Sequence, residues 1–287
     1  MAVEGLTIIG ESINDSVPST HKLFEDGDIE GIKKLAKTQD DGGASYIDVN
    51  VGLHSPEFMA DLVRDIQQLT AKPLSIDTPD LDIAAAGLQA YDPQRAGGKP
   101  PIVNSISATR LGMFELTRIR PFMPILLTSE REQDGSAVPN KSGRDNYETA
   151  RHLRSVALKY GIPIERLIFD PGIAPIGSDI DGILKMVLES MELMHADSDF
   201  AGAHMSVGLS NFTVMLPAKK ADGSPVKGPL ESAFITMAKP RGLDFIIGSV
   251  KRNYQLLPAD HPAMMCLRDI LTCDGYDCVM RVMTYYG

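Results

Sequence analysis

Asp48, Asp77 and Asp170, with Asn50, Asn104 and Asn211, are the side chains of this sequence best placed to do chemistry. Each stands at or just past the end of a short apolar run: YIDVN, PLSIDT, PIVNS, RLIFDPG and AHMSVGLS. Carboxylates accept hydrogen bonds, and amides both donate and accept them. One Asp at such a place is a helix cap or a turn former. Acids or amides at six of the eight run ends exceed what local capping requires. No Lys or Arg sits in the motifs GESIN, DVNVG, SIDT, NSIS, DPGI and GLSN, so a phosphate or carboxylate would meet repulsion there. A flat, neutral heterocycle with several N–H donors suits the set, through directional, charge-assisted bonds. Mg²⁺ is the competing occupant, because its sites often use only one or two protein carboxylates.

Those residues need a scaffold that brings strand ends together. Short, non-alternating apolar runs at Leu6–Gly10, Tyr46–Asn50, 73–78, 101–105, 123–129, 166–172, 203–210 and 244–249 alternate with segments of helical period. The helical segments are 29–44, 56–70, 81–91, 109–119, 146–161, 179–195, 229–242 and 261–272. Strands without polar alternation belong to a parallel sheet buried on both faces. Eight strand–helix pairs predict an α/β fold, a (β/α)₈ TIM barrel, with residues 1–287 as one domain. An open doubly wound sheet is the alternative, but no GxGxxG follows the first strand. In the barrel the polar ends converge on one mouth. Two Gly- and Pro-rich insertions, Glu130–Asn146 and Pro217–Pro229, are expected as long loops on that face.

Composition narrows the function classes. With 28 basic and 38 acidic residues in 287, the formal charge is −10, which argues against nucleic acid or an anionic membrane surface as partner. No apolar run approaches the roughly 18–20 residues of a membrane span, and a cytoplasmic location is expected. Cys266, Cys273 and Cys278 lack CxxC spacing, and the six histidines are scattered, so they predict packing thiols and no metal site. Met186, Met191 and Met194 recur near helical spacing, as core residues do.

Taken in order, GESIN (10–14), DVNVG (48–52), SIDT (75–78), NSIS (104–107), DPGI (170–173) and GLSN (208–211) resemble the pterin-binding methyltransferase family. The similarity is closest to the methyltetrahydrofolate:corrinoid-protein methyltransferases and the folate-binding domain of cobalamin-dependent methionine synthase. It runs from about Leu6 to about Met280. The resemblance implies a TIM barrel, usually a homodimer, with the pterin of tetrahydrofolate or 5-methyltetrahydrofolate in its mouth. It implies that Asp77, Asn104 and Asp170 hold the polar edge of the pterin and that Asn211 approaches N5. Asp48 and Asn50 then belong to a supporting water network, with Glu11 and Asn14 beside them. Gly172 and Gly208 would let the backbone approach the ring, and Ser210 has no assigned role.

The activity so implied is transfer of a methyl group between N5 and the cobalt of a corrinoid (cobalamin), in either direction, with Asn211 and Asp48 as the catalytic residues. A DxHxxG motif is absent, so the corrinoid is expected on a separate protein, docked over the mouth through the two insertions. Lys219 and Lys220 are candidates for the glutamate tail of folate. The site carboxylates are expected to stay ionised, because bonds received from N–H donors favour the charged form. On these grounds Asn211→Ala should lower kcat more than affinity, and Asp170→Ala the reverse. The alternatives are a dihydropteroate synthase-like enzyme, whose Ser-Arg-Lys element is replaced here by GSVKRN, and a non-catalytic folate-binding module.

Overall fold

The computed structural model describes residues 3–287. Its strands are β1 (Thr7–Asn14), β2 (Tyr46–Asn50), β3 (Leu74–Asp77), β4 (Ile102–Ile106), β5 (Met123–Leu127), β6 (Glu130–Gln133), β7 (Ser136–Pro139), β8 (Ile168–Asp170), β9 (His204–Met205) and β10 (Phe245–Gly248). Eight of them form one parallel sheet in the order β10-β1-β2-β3-β4-β5-β8-β9. Its two ends meet where the Ile247 N–H donates to the Val207 carbonyl at 3.0 Å and the Asp244 N–H to that of Met205 at 3.3 Å. The result is the (β/α)₈ barrel that the strand–helix alternation predicts.

The outer layer comprises α1 (Pro18–Glu25), α2 (Ile29–Asp41), α3 (Pro56–Leu69), α4 (Leu81–Ala90), α5 (Gly143–Lys159), α6 (Ile183–Ala196), α7 (Leu209–Phe212), α8 (Lys227–Ala238), α9 (Pro262–Ile270) and α10 (Tyr276–Tyr286). Their starts are written locally. Asp28, Ser55, Asp80 and Ser142 cap α2, α3, α4 and α5 through their side-chain oxygens. No helix among the described residues is long and apolar enough to cross a membrane.

Several elements differ from the sequence-based expectation. Strand β1 runs four residues past Gly10, and α1 follows it; its run PSTHKLFE is short and mostly polar, so periodicity passes over it. Segment 109–119 is a 3₁₀ helix, Leu111–Arg118, rather than an α-helix. The first insertion is no plain loop: β6 and β7 pair as an antiparallel hairpin around Asp134-Gly135, both at positive φ. The seventh strand narrows to His204–Met205, because Gly208 opens the one-turn helix α7. Beyond α9, the C-terminus adds α10, which carries Cys278. All three cysteines are free thiols.

A strand turns alternate side chains to opposite faces, and here the alternation divides the core in two. The outward set joins the helices in one large cluster, whereas Ile9, Tyr46, Ile102, Met123, Ile125, Ile168, Phe245 and Ile247 pack separately as a plug inside the barrel. Moving two residues towards the carboxyl end, on the same face, leads from Tyr46 to Asp48, from Ile102 to Asn104 and from Ile168 to Asp170. The polar layer therefore lies directly on the apolar plug.

Candidate functional site

Register fixes who neighbours whom at the mouth. Asp48 pairs with Ser75, and Asp77 with Asn104, across adjacent strands; Asp170 ends β8, beyond β5. The Asn50 amide donates to Asp77 Oδ2 at 3.0 Å, while its oxygen accepts from the Gly52 N–H at 2.9 Å. Asn50 therefore orients Asp77. Asp170 Oδ1 accepts from the Gly172 N–H at 2.8 Å, and Oδ2 from the Ser206 hydroxyl at 3.3 Å. On the other side of the ring, Glu11 accepts from the Ser210 hydroxyl, with the Asn14 amide 3.5 Å away. That contact gives Ser210 a role: it ties the helix of Asn211 to the end of β1. A lone Ser carries no sequence signal for such a partner 199 residues away.

Asp48 is fully buried beneath this layer, and among the described residues neither of its oxygens, nor the Ser75 hydroxyl, has a hydrogen-bond partner. Burial pushes its carboxyl well above the usual range, and the charge of Asp77 adds to the shift. Burial also raises Asp77 and Asp170 to about 6, against the bonds from Asn50 in one and from Gly172 and Ser206 in the other. At about 6, Asp77 and Asp170 remain mostly ionised at neutral pH, as expected, whereas at Asp48 desolvation, with no strong donor against it, favours the neutral form, against that expectation.

The two glycines are also explained differently. Gly172 has φ of +71°, and a Cβ there would meet Ser129 at 2.7 Å, so backbone conformation and Ser129 require it. At Gly208 a Cβ would meet the Asn211 amide nitrogen at 3.0 Å; the missing side chain makes room for that amide. Asn211 is exposed, and its side chain has no hydrogen-bond partner among the described residues, while Leu209 and Phe212 on either side are buried. Lys220 lies over the ring of Tyr285, with Nζ 3.5 Å from the centroid, and Lys219 pairs its backbone with Pro225. Arg110, outside the sequence motifs, brings a guanidinium to the Ser105 hydroxyl at the end of β4. Among the described residues no group of three or more acids, histidines or cysteines is arranged to hold a metal ion.

Acceptors at the ends of β3, β4 and β8, above an apolar floor, could receive the N–H donors of a planar ring. Residues 13–248 match the family of pterin-binding enzymes. The chain belongs to the pterin-binding enzyme family. A relative from Eubacterium limosum, a methylcorrinoid:tetrahydrofolate methyltransferase, is 27% identical over 254 residues, covering 83% of each chain. Among solved structures, Yersinia pestis DHPS with a pterine–sulfa conjugate superposes with a TM-score of 0.57 at 14% identity, over 93% of this chain and 95% of that one. The 7,8-dihydropteroate synthase of Vibrio fischeri gives 0.57 at 15% identity, over 99% and 94%. At such identities these likenesses speak for the barrel alone.

Proposed function

We propose that this chain is a methyltransferase that moves a methyl group between a corrinoid carried on a separate protein and N5 of tetrahydrofolate. The observation that carries the reading is that Asp77, Asn104 and Asp170 end strands of a barrel of this family, while the exposed Asn211 amide, without a hydrogen-bond partner among the described residues, lies just past the seventh strand. A ring held by its N–H edge on that side would present its far nitrogen to Asn211. The Eubacterium limosum relative's name supports both co-substrates and a transfer written towards tetrahydrofolate. The corrinoid, when docked, supplies a methyl group bound to cobalt. In that direction the N5 lone pair forms the new bond to carbon, the pair of the broken bond stays with the corrinoid, and the N5 proton leaves to solvent. Positive charge grows at N5, and the Asn211 oxygen, accepting from N5–H, is placed to stabilise it. Asp77 and Asp170 bind and orient; burial and the charge of Asp77 push the Asp48 carboxyl towards its neutral form, which disfavours a second negative charge in the floor.

The direct test mixes the protein with methylcobalamin and tetrahydrofolate, and in the reverse sense with Co(I) cobalamin and 5-methyltetrahydrofolate, with the cobalt absorption bands as readout. A change that requires the protein supports the reading. Saturable folate binding with no spectral change would favour a non-catalytic module instead.

Two further outcomes follow from the geometry. The free protein binds protons at Asp77 and Asp170 up to about pH 6, and a pterin that donates N–H bonds to them requires the ionised forms. Tetrahydrofolate affinity should therefore fall as pH drops below 6, by up to about tenfold per pH unit for each carboxylate. Calorimetry near pH 6 in buffers of different ionisation enthalpy should register proton release; pH-independent binding between 5 and 7 contradicts the assignment. The second concerns the partner. Leu53 is fully exposed and Met215 73% exposed, with Val17, Ile180 and Val214 also bare on loops that follow the strands. On this reading they are the apolar side chains on which the corrinoid protein would dock. Leu53→Asp and Met215→Asp should raise KM for the corrinoid protein by about tenfold or more, while free cobalamin reacts at the wild-type rate.

A further inference from the structure

The helix α8 is buried on nearly every side, with Leu230, Ser232, Ala233, Phe234 and Ile235 all enclosed, yet it carries an acid, Glu231, that is 1% exposed. Burying a charge is costly, and an apolar residue of similar volume would serve packing alone as well. Glu231 instead makes specific contacts. Its Oε1 accepts from the hydroxyl of Thr213, itself buried, just beyond α7. Arg252, after β10, sets its Nε 3.3 Å from Oε2, which has no hydrogen bond among the described residues. Phe212 packs on Phe234 with ring centroids 5.3 Å apart. The residues around Asn211 are thus anchored on two sides: Ser210 to Glu11, and Thr213 to Glu231.

We propose that Glu231 is a positioning residue for methyl transfer: through Thr213 it fixes the one-turn helix that aims Asn211 at the reacting nitrogen. The inference rests on the role given to Asn211 above. Phe212 and Leu209 already bury the helix, but apolar packing is non-directional; the Thr213–Glu231 hydrogen bond, together with Ser210–Glu11, sets its rotation, on which the aim of an exposed amide depends. Misplacing a reacting group by about 1 Å can cost on the order of 100-fold in rate.

The test uses Thr213→Val, which keeps shape and removes the hydroxyl, beside Thr213→Ser, which restores it. Thr213→Val should lower kcat for methyl transfer by tenfold or more and leave the calorimetric Kd for tetrahydrofolate within about twofold; Thr213→Ser should match the wild type in both. In the ligand-free protein, the side-chain amide resonances of Asn211, assigned by their loss in Asn211→Ala, should shift or broaden in Thr213→Val and not in Thr213→Ser. Those resonances staying at the wild-type position in Thr213→Val would overturn the proposal, as would equal losses of kcat and affinity. Should the wild type bind folate without transferring methyl, the functional reading fails, and the resonances still decide whether Glu231 positions Asn211.

Discussion

Asn211→Ala is expected to lower kcat for methyl transfer by about 10²–10³, the range seen when a preorganised group aimed at developing charge is removed, while the Kd for tetrahydrofolate stays within about threefold. The asymmetry comes from where the charge changes. Before the reaction N5 is neutral, and its hydrogen bond to an exposed amide exchanges for one to water at little net gain. As the N–C bond forms, the nitrogen turns cationic, and the fixed amide oxygen becomes worth several times more than mobile solvent. Gly208 makes this possible by leaving the volume of a Cβ to the amide. Gly208→Ala should share the kcat defect in milder form, because its methyl carbon would stand 3.0 Å from the amide nitrogen. Single-turnover absorbance at the corrinoid bands, paired with calorimetry, separates the two parameters. Equal losses in kcat and affinity would remove Asn211 from the chemistry and make it one more ring contact.

The sequence made the barrel and the acceptor set readable for one reason. A parallel strand buried on both faces has no place for an acid except its end, so Asp48, Asp77 and Asp170 stand out against Ile47, Ile76 and Phe169. What stayed hidden depends on distance across the chain. Ser210 and Glu11 are 199 residues apart, and Thr213 and Glu231 lie on different elements; neither pair has a spacing that periodicity can detect. The state of Asp48 is illegible for the same reason. The sequence shows which acids share a mouth, but not that Asp48 lies beneath it with both oxygens unpartnered, and burial decides which form an acid adopts. The hairpin β6–β7 escaped because its strands, EREQ and SAVP, are mostly exposed and carry no apolar alternation.

Asp170→Asn is expected to make the ligand-free protein more stable at pH 7 and to weaken tetrahydrofolate binding on the order of 100-fold, about 3 kcal/mol, the scale of charged hydrogen bonds lost to a buried ring edge. The stability sign follows from proton linkage. An unfolded Asp titrates near 4, whereas Asp170 in the fold titrates at about 6 because it is buried. Between those values the folded protein binds more protons, so its stability falls as pH rises from 4 through 6, and the cost persists at 7. Two pH units correspond to roughly 2–3 kcal/mol for this nearly enclosed carboxylate. Asparagine avoids that cost and keeps the local contacts: its oxygen still accepts from the Gly172 N–H, and its amide can donate to the Ser206 hydroxyl. It nevertheless turns N–H donors towards a ring edge that itself donates. Thermal melts at pH 5 and 7 with and without tetrahydrofolate check both halves. The variant should melt several degrees higher than wild type at pH 7 without ligand, by less at pH 5, and gain almost nothing from folate. A destabilised variant that still binds at wild-type strength would mean that Asp170 serves the fold through the Gly172 turn, and that the acid beneath the mouth is not there for a ligand.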